Sequence, residues 1–158
     1  RAKELMNNNF AIRIRLKLEF GEETYRNDKI NKEYLRKIVF SDEKNRQIIN
    51  SIVHPAVKND FIAWREKTGA KIVAIESAII FDAKLEDILD KIIFVEAAED
   101  ILVKRICFRD NVSEEIALNK IKLQRENAGR EKCDAIFIND RNHSLIEQAE
   151  NFINNLKY

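Results

Sequence analysis

Three short apolar runs constrain this chain more than any other feature: Lys71-Ile72-Val73-Ala74-Ile75, Lys91-Ile92-Ile93-Phe94-Val95 and Ala135-Ile136-Phe137-Ile138. Each has the length of one strand and is rich in β-branched or aromatic residues. Continuous apolar runs of this kind predict strands buried on both faces, as in a parallel sheet covered by helices. Helical segments separate and follow them, over Glu99 to about Arg109, from a Ser113 cap to about Glu126, and over about Ser144 to Leu156. Strand–helix alternation with right-handed crossovers predicts an α/β fold, a parallel sheet with flanking helices. Three strands make a thin sheet against the usual ~5–6. The chain opens on Arg1, not Met, inside what reads as a helix, so the expectation is that further strands lie upstream.

The first third reads differently. Residues 2–6 and 10–20 carry apolar side chains at helical spacing, with Phe10, Ile14 and Leu18 on one stripe and Ile12, Leu16 and Phe20 beside it. Alternation over Phe10 to Leu18 also fits a strand. Gly21 stops the segment, and Tyr25 to Ile30 reads as a polar turn. Asn31 caps a helix through Phe40, Ser41 caps the next, and His54-Pro55 reads as a junction from which a third helix runs to about Lys67, ended by Gly69.

Composition narrows the class. Lys and Arg total 28 against 27 Asp and Glu, a net charge of +1, which argues against a nucleic-acid coat. A hydrophobic content of 45% supports a real core, and 3 Gly with 1 Pro speak against a turn-rich all-β fold. No apolar run approaches the ~20 residues that span a bilayer. Cys107 and Cys133 have no ligand-like spacing, so neither a disulfide framework nor a zinc site is expected, and two reduced thiols suit a cytoplasmic protein.

Ligands of open parallel sheets bind beyond the carboxyl ends of the strands. Glu76 follows the first run and could hold a Mg²⁺-bound water, orient a substrate hydroxyl, or cap the next turn. After the second run comes a helix with Arg105 and Arg109 four residues apart on one face. Their guanidinium forks suit phosphate oxygens, or else form a solvated basic face paired with Glu99 or Asp110. Asn139 and its polar neighbours follow the third run. From Lys104 to Lys132 cations exceed acids by three, enough for a local pocket. His54 reads as part of a helix start or as a hydrogen-bonding partner of a nucleotide. No glycine-rich phosphate loop and no Ser/His/Asp constellation occur in these residues.

Several segments in order resemble the dephospho-coenzyme A kinase family. Ile52-Val53-His54-Pro55-Ala56-Val57 is similar to its I-x-H-P-x-[VI] junction, and Lys71 to Asp82 to its strand ending in Asp-x-Pro-Leu-Leu-Phe-Glu. Arg105 to Ser113 resembles its R-x-x-x-R-[DN]-x-x-[ST] lid entry. Gln124 and Asp134 to Asn139 resemble its later elements, and Ala2 to Met6 the helix after its D-A-D motif. Glu76, Ala78 and Asp82 stand where the family usually has Asp, Pro and Glu.

The resemblance implies a P-loop kinase-like, three-layer α/β/α fold in which ATP and Mg²⁺ phosphorylate the ribose 3′-hydroxyl of dephospho-coenzyme A, the last step of coenzyme A synthesis. It implies a mainly helical acceptor-binding region over 1–69, an α/β core over 70–97 and 129–158, and a lid over 98–128. Arg105 and Arg109 would meet the phosphates, His54 and Glu76 the substrate, and Asn139 the adenine of ATP. The family's G-x-x-x-x-G-K-[ST] loop and D-A-D aspartate would precede Arg1. Two alternatives stand beside this reading: a kinase of a mononucleotide or small metabolite, and, were Arg1 the true start, a non-catalytic binding remnant.

Overall fold

Asn9 ends one helix and starts the next. Its amide closes helix α1 (Ala2–Asn8) on the Leu5 carbonyl at 2.8 Å, and its side chain accepts from the Ile12 amide at 3.1 Å to open helix α2 (Phe10–Phe20). The protein is seen here as a computed structural model that describes residues 1–126 and 129–156. It forms two units, Arg1–Glu76 and Ser77–Tyr158.

In the first unit the strand alternative for residues 10–18 gives way to helix. Ile12, Leu16 and Phe20 form the buried stripe, whereas Phe10 and Leu18 are 76% and 79% exposed. Gly21 ends the helix at φ 85°, a conformation suited to glycine. The supposed polar turn is a small hairpin, β1 (Tyr25–Arg26) against β2 (Lys29–Ile30). Asn27 and Asp28 both take positive φ, as a two-residue loop of primed type requires, and Asn and Asp tolerate it best. Asn31 caps helix α3 (Lys32–Ser41) by accepting from the Tyr34 amide at 3.3 Å.

Helix α4 (Glu43–Thr68) corrects two expectations. Its cap is Asp42, not Ser41, whose hydroxyl instead bonds back to the Ile38 carbonyl. It also runs unbroken through His54-Pro55, so His54 is an interior helical residue and not part of a helix start. Proline removes one amide and crowds one carbonyl, at a cost of ~3 kcal/mol. Ile52 and Val53 before it and Phe61 after it are buried, each worth about 1.5–3 kcal/mol. Together they outweigh the proline, and the helix continues to the left-handed Gly69. Ile30, Leu35 and Ile52 complete the cluster around the α2 stripe, and the Tyr25 and Tyr34 hydroxyls donate to the Met6 and Phe20 carbonyls, both at 2.7 Å.

The first apolar run departs from expectation. Residues 71–76 belong to no strand, and Val73 and Ile75 are half-buried while Ile72, Ala74 and Glu76 are exposed. A strand exists only where a neighbour completes its ladder, and among the described residues this segment has none.

The second unit holds the other two runs as strands, β3 (Ile93–Glu96) and β4 (Ala135–Ile138), parallel and in register from Ile93↔Ala135 to Glu96↔Ile138. Helices α5 (Glu99–Asp110) and α6 (Glu114–Glu126) pack as a pair in the crossover, with Ala117 and Ile121 of α6 buried. Helix α7 (Leu145–Asn154) packs on β4, the Phe137 and Phe152 rings meeting edge to face at 5.8 Å. Burial on both faces is not realised: Val95, beside the buried Phe137, remains 52% exposed. Four-residue strands in a ladder of two offer little area for helices to cover. The first turn of this ladder is set by Asp134, whose carboxylate accepts from the Ile92 amide at 2.8 Å and from Lys91 at 2.7 Å.

Candidate active site

The carboxyl ends of β3 and β4 are bound together by backbone and side-chain bonds. The Asn139 amide donates to the Glu96 carbonyl at 2.7 Å, extending the ladder one step. From α7, Gln148 accepts from the Ile138 amide at 2.8 Å and donates to its carbonyl at 3.0 Å, so one amide side chain stands in for a neighbouring strand. Asp140 accepts from the Asn142 and His143 amides at 2.8 and 2.9 Å and contacts the His143 ring. That contact with His143, ahead of the amides, holds the Asp140 carboxyl below the usual range. Residues 138–144 thus form a tightly tied loop at the strand-end rim.

Arg105 reaches this rim. Its guanidinium donates to the Asn139 carbonyl at 3.0 Å, so two residues singled out separately in the sequence are in direct contact. Arg109 does not share that contact. It forks onto its neighbour Asp110 at 2.7 and 3.1 Å, and Lys120 joins the same carboxylate at 2.6 Å. The Arg109 bond, then Lys120, keeps Asp110 far below the ordinary carboxylate range.

Two further arginines stand at the rim that the sequence did not single out. Arg130 forks onto Glu96 at 2.7 and 3.1 Å, and Arg125 pairs with Glu99 at 2.7 Å. The bond from Arg130, reinforced by the charge of Arg125, lowers the Glu96 carboxyl below its usual range. A groove beside them is lined by Glu99, Leu118, Asn119, Lys122 and Arg125. Glu96 follows the second run as Glu76 follows the first, and the strand-end rule reads both positions. The partner of Glu96 lies 34 residues on, and no local pattern connects the two.

His54 and Glu76 belong to the first unit. His54 is half-buried within α4, and Glu76 is exposed at the unit's end. A concavity of this unit is lined by residues that include Lys3, Asn7, Asn8 and Lys29. Lys3 lies against Lys32, and that neighbouring ammonium lowers its pKa. Among the described residues no three of His, Cys, Asp and Glu gather as a metal centre, and no helix is long and apolar enough to cross a membrane.

A parallel ladder with a helical crossover and guanidinium groups at its carboxyl rim is an α/β arrangement suited to an anionic ligand beyond the strand ends. The family profile of dephospho-CoA kinases matches residues 1–146. The dephospho-CoA kinase of Porphyromonas gingivalis is 30% identical over 159 aligned residues, covering 99% of this chain and 79% of that protein. Two solved structures share the fold. TT1252 from Thermus thermophilus has a TM-score of 0.74 at 20% identity, over 99% of this chain and 81% of that one. Dephospho-CoA kinase from Campylobacter jejuni has a TM-score of 0.57 at 21% identity, over 97% and 78%. The chain belongs to the dephospho-CoA kinase family. Its reaction class is therefore ATP-dependent phosphoryl transfer, with dephospho-coenzyme A as the acceptor.

Proposed function

We propose that Arg105 binds the phosphates of ATP at the rim of the β3–β4 ladder and that Asn139 lies beside the adenine, so that the two ends of the nucleotide are read by residues in mutual contact. The observation that carries this is the 3.0 Å hydrogen bond from Arg105 to the Asn139 carbonyl. A guanidinium already oriented there by a backbone acceptor is pre-organised for anionic oxygens, which lowers the cost of ordering it on binding. Arg109 joins the phosphates by exchanging its exposed fork on Asp110 for them as the lid over 98–128 closes. Closure excludes water, so that the phosphoryl group passes to the ribose 3′-hydroxyl and not to solvent.

The region over 1–69 takes up dephospho-coenzyme A, with His54 as a hydrogen-bonding contact, and the segments over 70–97 and 129–158 form the core. Mg²⁺, when bound, neutralises charge on the nucleotide phosphates. It needs few protein ligands because phosphate oxygens and water fill most of its shell. Glu76, exposed after the first apolar run, would hold one of its waters or the acceptor hydroxyl. Two unpaired thiols, Cys107 and Cys133, suit the reducing cytoplasm.

The test is a steady-state assay of ADP release on the product of the whole open reading frame, with dephospho-coenzyme A, AMP, CMP and shikimate as acceptors. Preferred turnover of dephospho-coenzyme A is expected. Equal or better turnover of another acceptor overturns the substrate assignment.

A further inference from the structure

Glu96 is the last residue of β3, and its carboxylate is gripped by both arms of Arg130. The side chains are 31% and 52% exposed, so the pair is hydrated. Pairs of that kind add only about 0.2–1 kcal/mol of stability, which is a weak reason to station a guanidinium at the one edge of an α/β ladder where ligands bind. The fork geometry is more informative. A guanidinium that accommodates two carboxylate oxygens accommodates two phosphate oxygens in the same way.

The surroundings point the same way. Arg125 acts on the charge of Glu96 while bonded to Glu99. Arg105 holds the carbonyl of Asn139, whose amide is bonded to the Glu96 backbone. Three guanidinium groups therefore surround the end of β3, and the acids answering two of them, Glu96 and Glu99, lie three residues apart in the chain.

We propose that Arg130 is a phosphate-binding residue of the kinase reaction, exchanging the Glu96 carboxylate for nucleotide phosphate oxygens when ATP binds. This rests on the kinase reading above and adds a third guanidinium to the nucleotide's binding groups. Release does not strand Glu96, because Arg125 remains near it. The exchange makes Glu96 an internal competitor of the nucleotide, with Arg130 as the shared cation. As charge spreads over the transferring phosphoryl group, the fork strengthens, so Arg130 serves turnover as well as binding.

The experiment uses the product of the whole open reading frame and two readouts, kinetics with ATP and calorimetric binding of the non-hydrolysable analogue adenylyl imidodiphosphate. Arg130→Met is expected to lower kcat/KM for ATP about a hundredfold while leaving KM for dephospho-coenzyme A near the wild-type value. Arg130→Lys, which keeps the charge and loses the fork, falls between. Glu96→Gln removes the competitor's charge and is expected to tighten analogue binding several-fold. Wild-type kcat/KM and affinity in folded Arg130→Met overturn the proposal. Should that variant not fold, unchanged or weakened analogue binding in Glu96→Gln overturns it instead. Failure of the kinase reading looks different: wild-type protein that does not turn over dephospho-coenzyme A. The analogue-binding arm still decides the role of Arg130 in that case.

Discussion

Gln148 satisfies both backbone groups of Ile138, accepting from its amide at 2.8 Å and donating to its carbonyl at 3.0 Å. No other side chain among the described residues makes this double contact with one residue of the ladder. Gln148→Leu would leave both groups without these partners in a half-buried setting, and a loss of about 1–3 kcal/mol is expected in urea unfolding. Gln148→Glu keeps the acceptor and loses the donor, so it should fall between.

The two apolar stripes of α2 are expected to respond oppositely. Leu16 is fully buried, and Leu16→Ala should cost about 2–5 kcal/mol through lost transfer energy and the cavity left behind. Leu18, on the exposed stripe, should change stability by no more than ~0.5 kcal/mol on substitution by Ala. Chemical denaturation of the pair checks the assignment of inside and outside.

Gly69 and Gly129 both have positive φ, at 63° and 58°, but differ in their surroundings. A Cβ on Gly69 meets open space, whereas one on Gly129 runs into the Phe81 ring. Gly69→Ala should cost only the left-handed backbone penalty, ~1–2 kcal/mol. Gly129→Ala should add overpacking of about 1–3 kcal/mol, read as a larger fall in thermal midpoint.

Asp134 has a depressed pKa because Lys91 and then the Ile92 amide favour its charged form. A carboxyl lowered in the folded state stabilises above its unfolded pKa of about 4, and that contribution fades as pH falls through the lower folded value. The difference in thermal midpoint between wild type and Asp134→Asn should therefore be constant at neutral pH and shrink below that range. A difference that grows on acidification contradicts this.

Arg105 and Arg109 should separate kinetically. Arg105→Met removes a group already placed at the rim and should reduce kcat/KM for ATP by roughly a hundredfold. Arg109→Met also releases Asp110 from its fork, leaving Lys120 as that carboxylate's partner. It should lower kcat more than it raises KM for ATP, since on the proposed reading Arg109 meets the phosphates only when the lid closes. Initial-rate measurements over both substrates distinguish the two.

Local pattern carried much of the architecture. Ser113 announced α6 and Asn31 α3, spacing left α2 open between helix and strand, and the second and third apolar runs became β3 and β4 because their chemistry suits a ladder whichever strand lies beside it. The sequence also brought attention to Arg105 and Asn139, each from its position after a strand. What a local pattern does not contain is the identity of a distant partner. Nothing near Arg130 points to Glu96, nothing within Lys71 to Ile75 states whether a neighbouring strand completes its hydrogen bonds, and a proline looks like a break until the burial of Ile52, Val53 and Phe61 outweighs it. The stripes of Phe10, Ile14, Leu18 and of Ile12, Leu16, Phe20 are alike as composition. Only the packing of Ile30, Leu35 and Ile52 made the second one the core. Backbone periodicity is a property of neighbours in the chain, whereas burial, ladder pairing and ion pairing depend on residues brought near by folding, and those the tertiary structure alone decided.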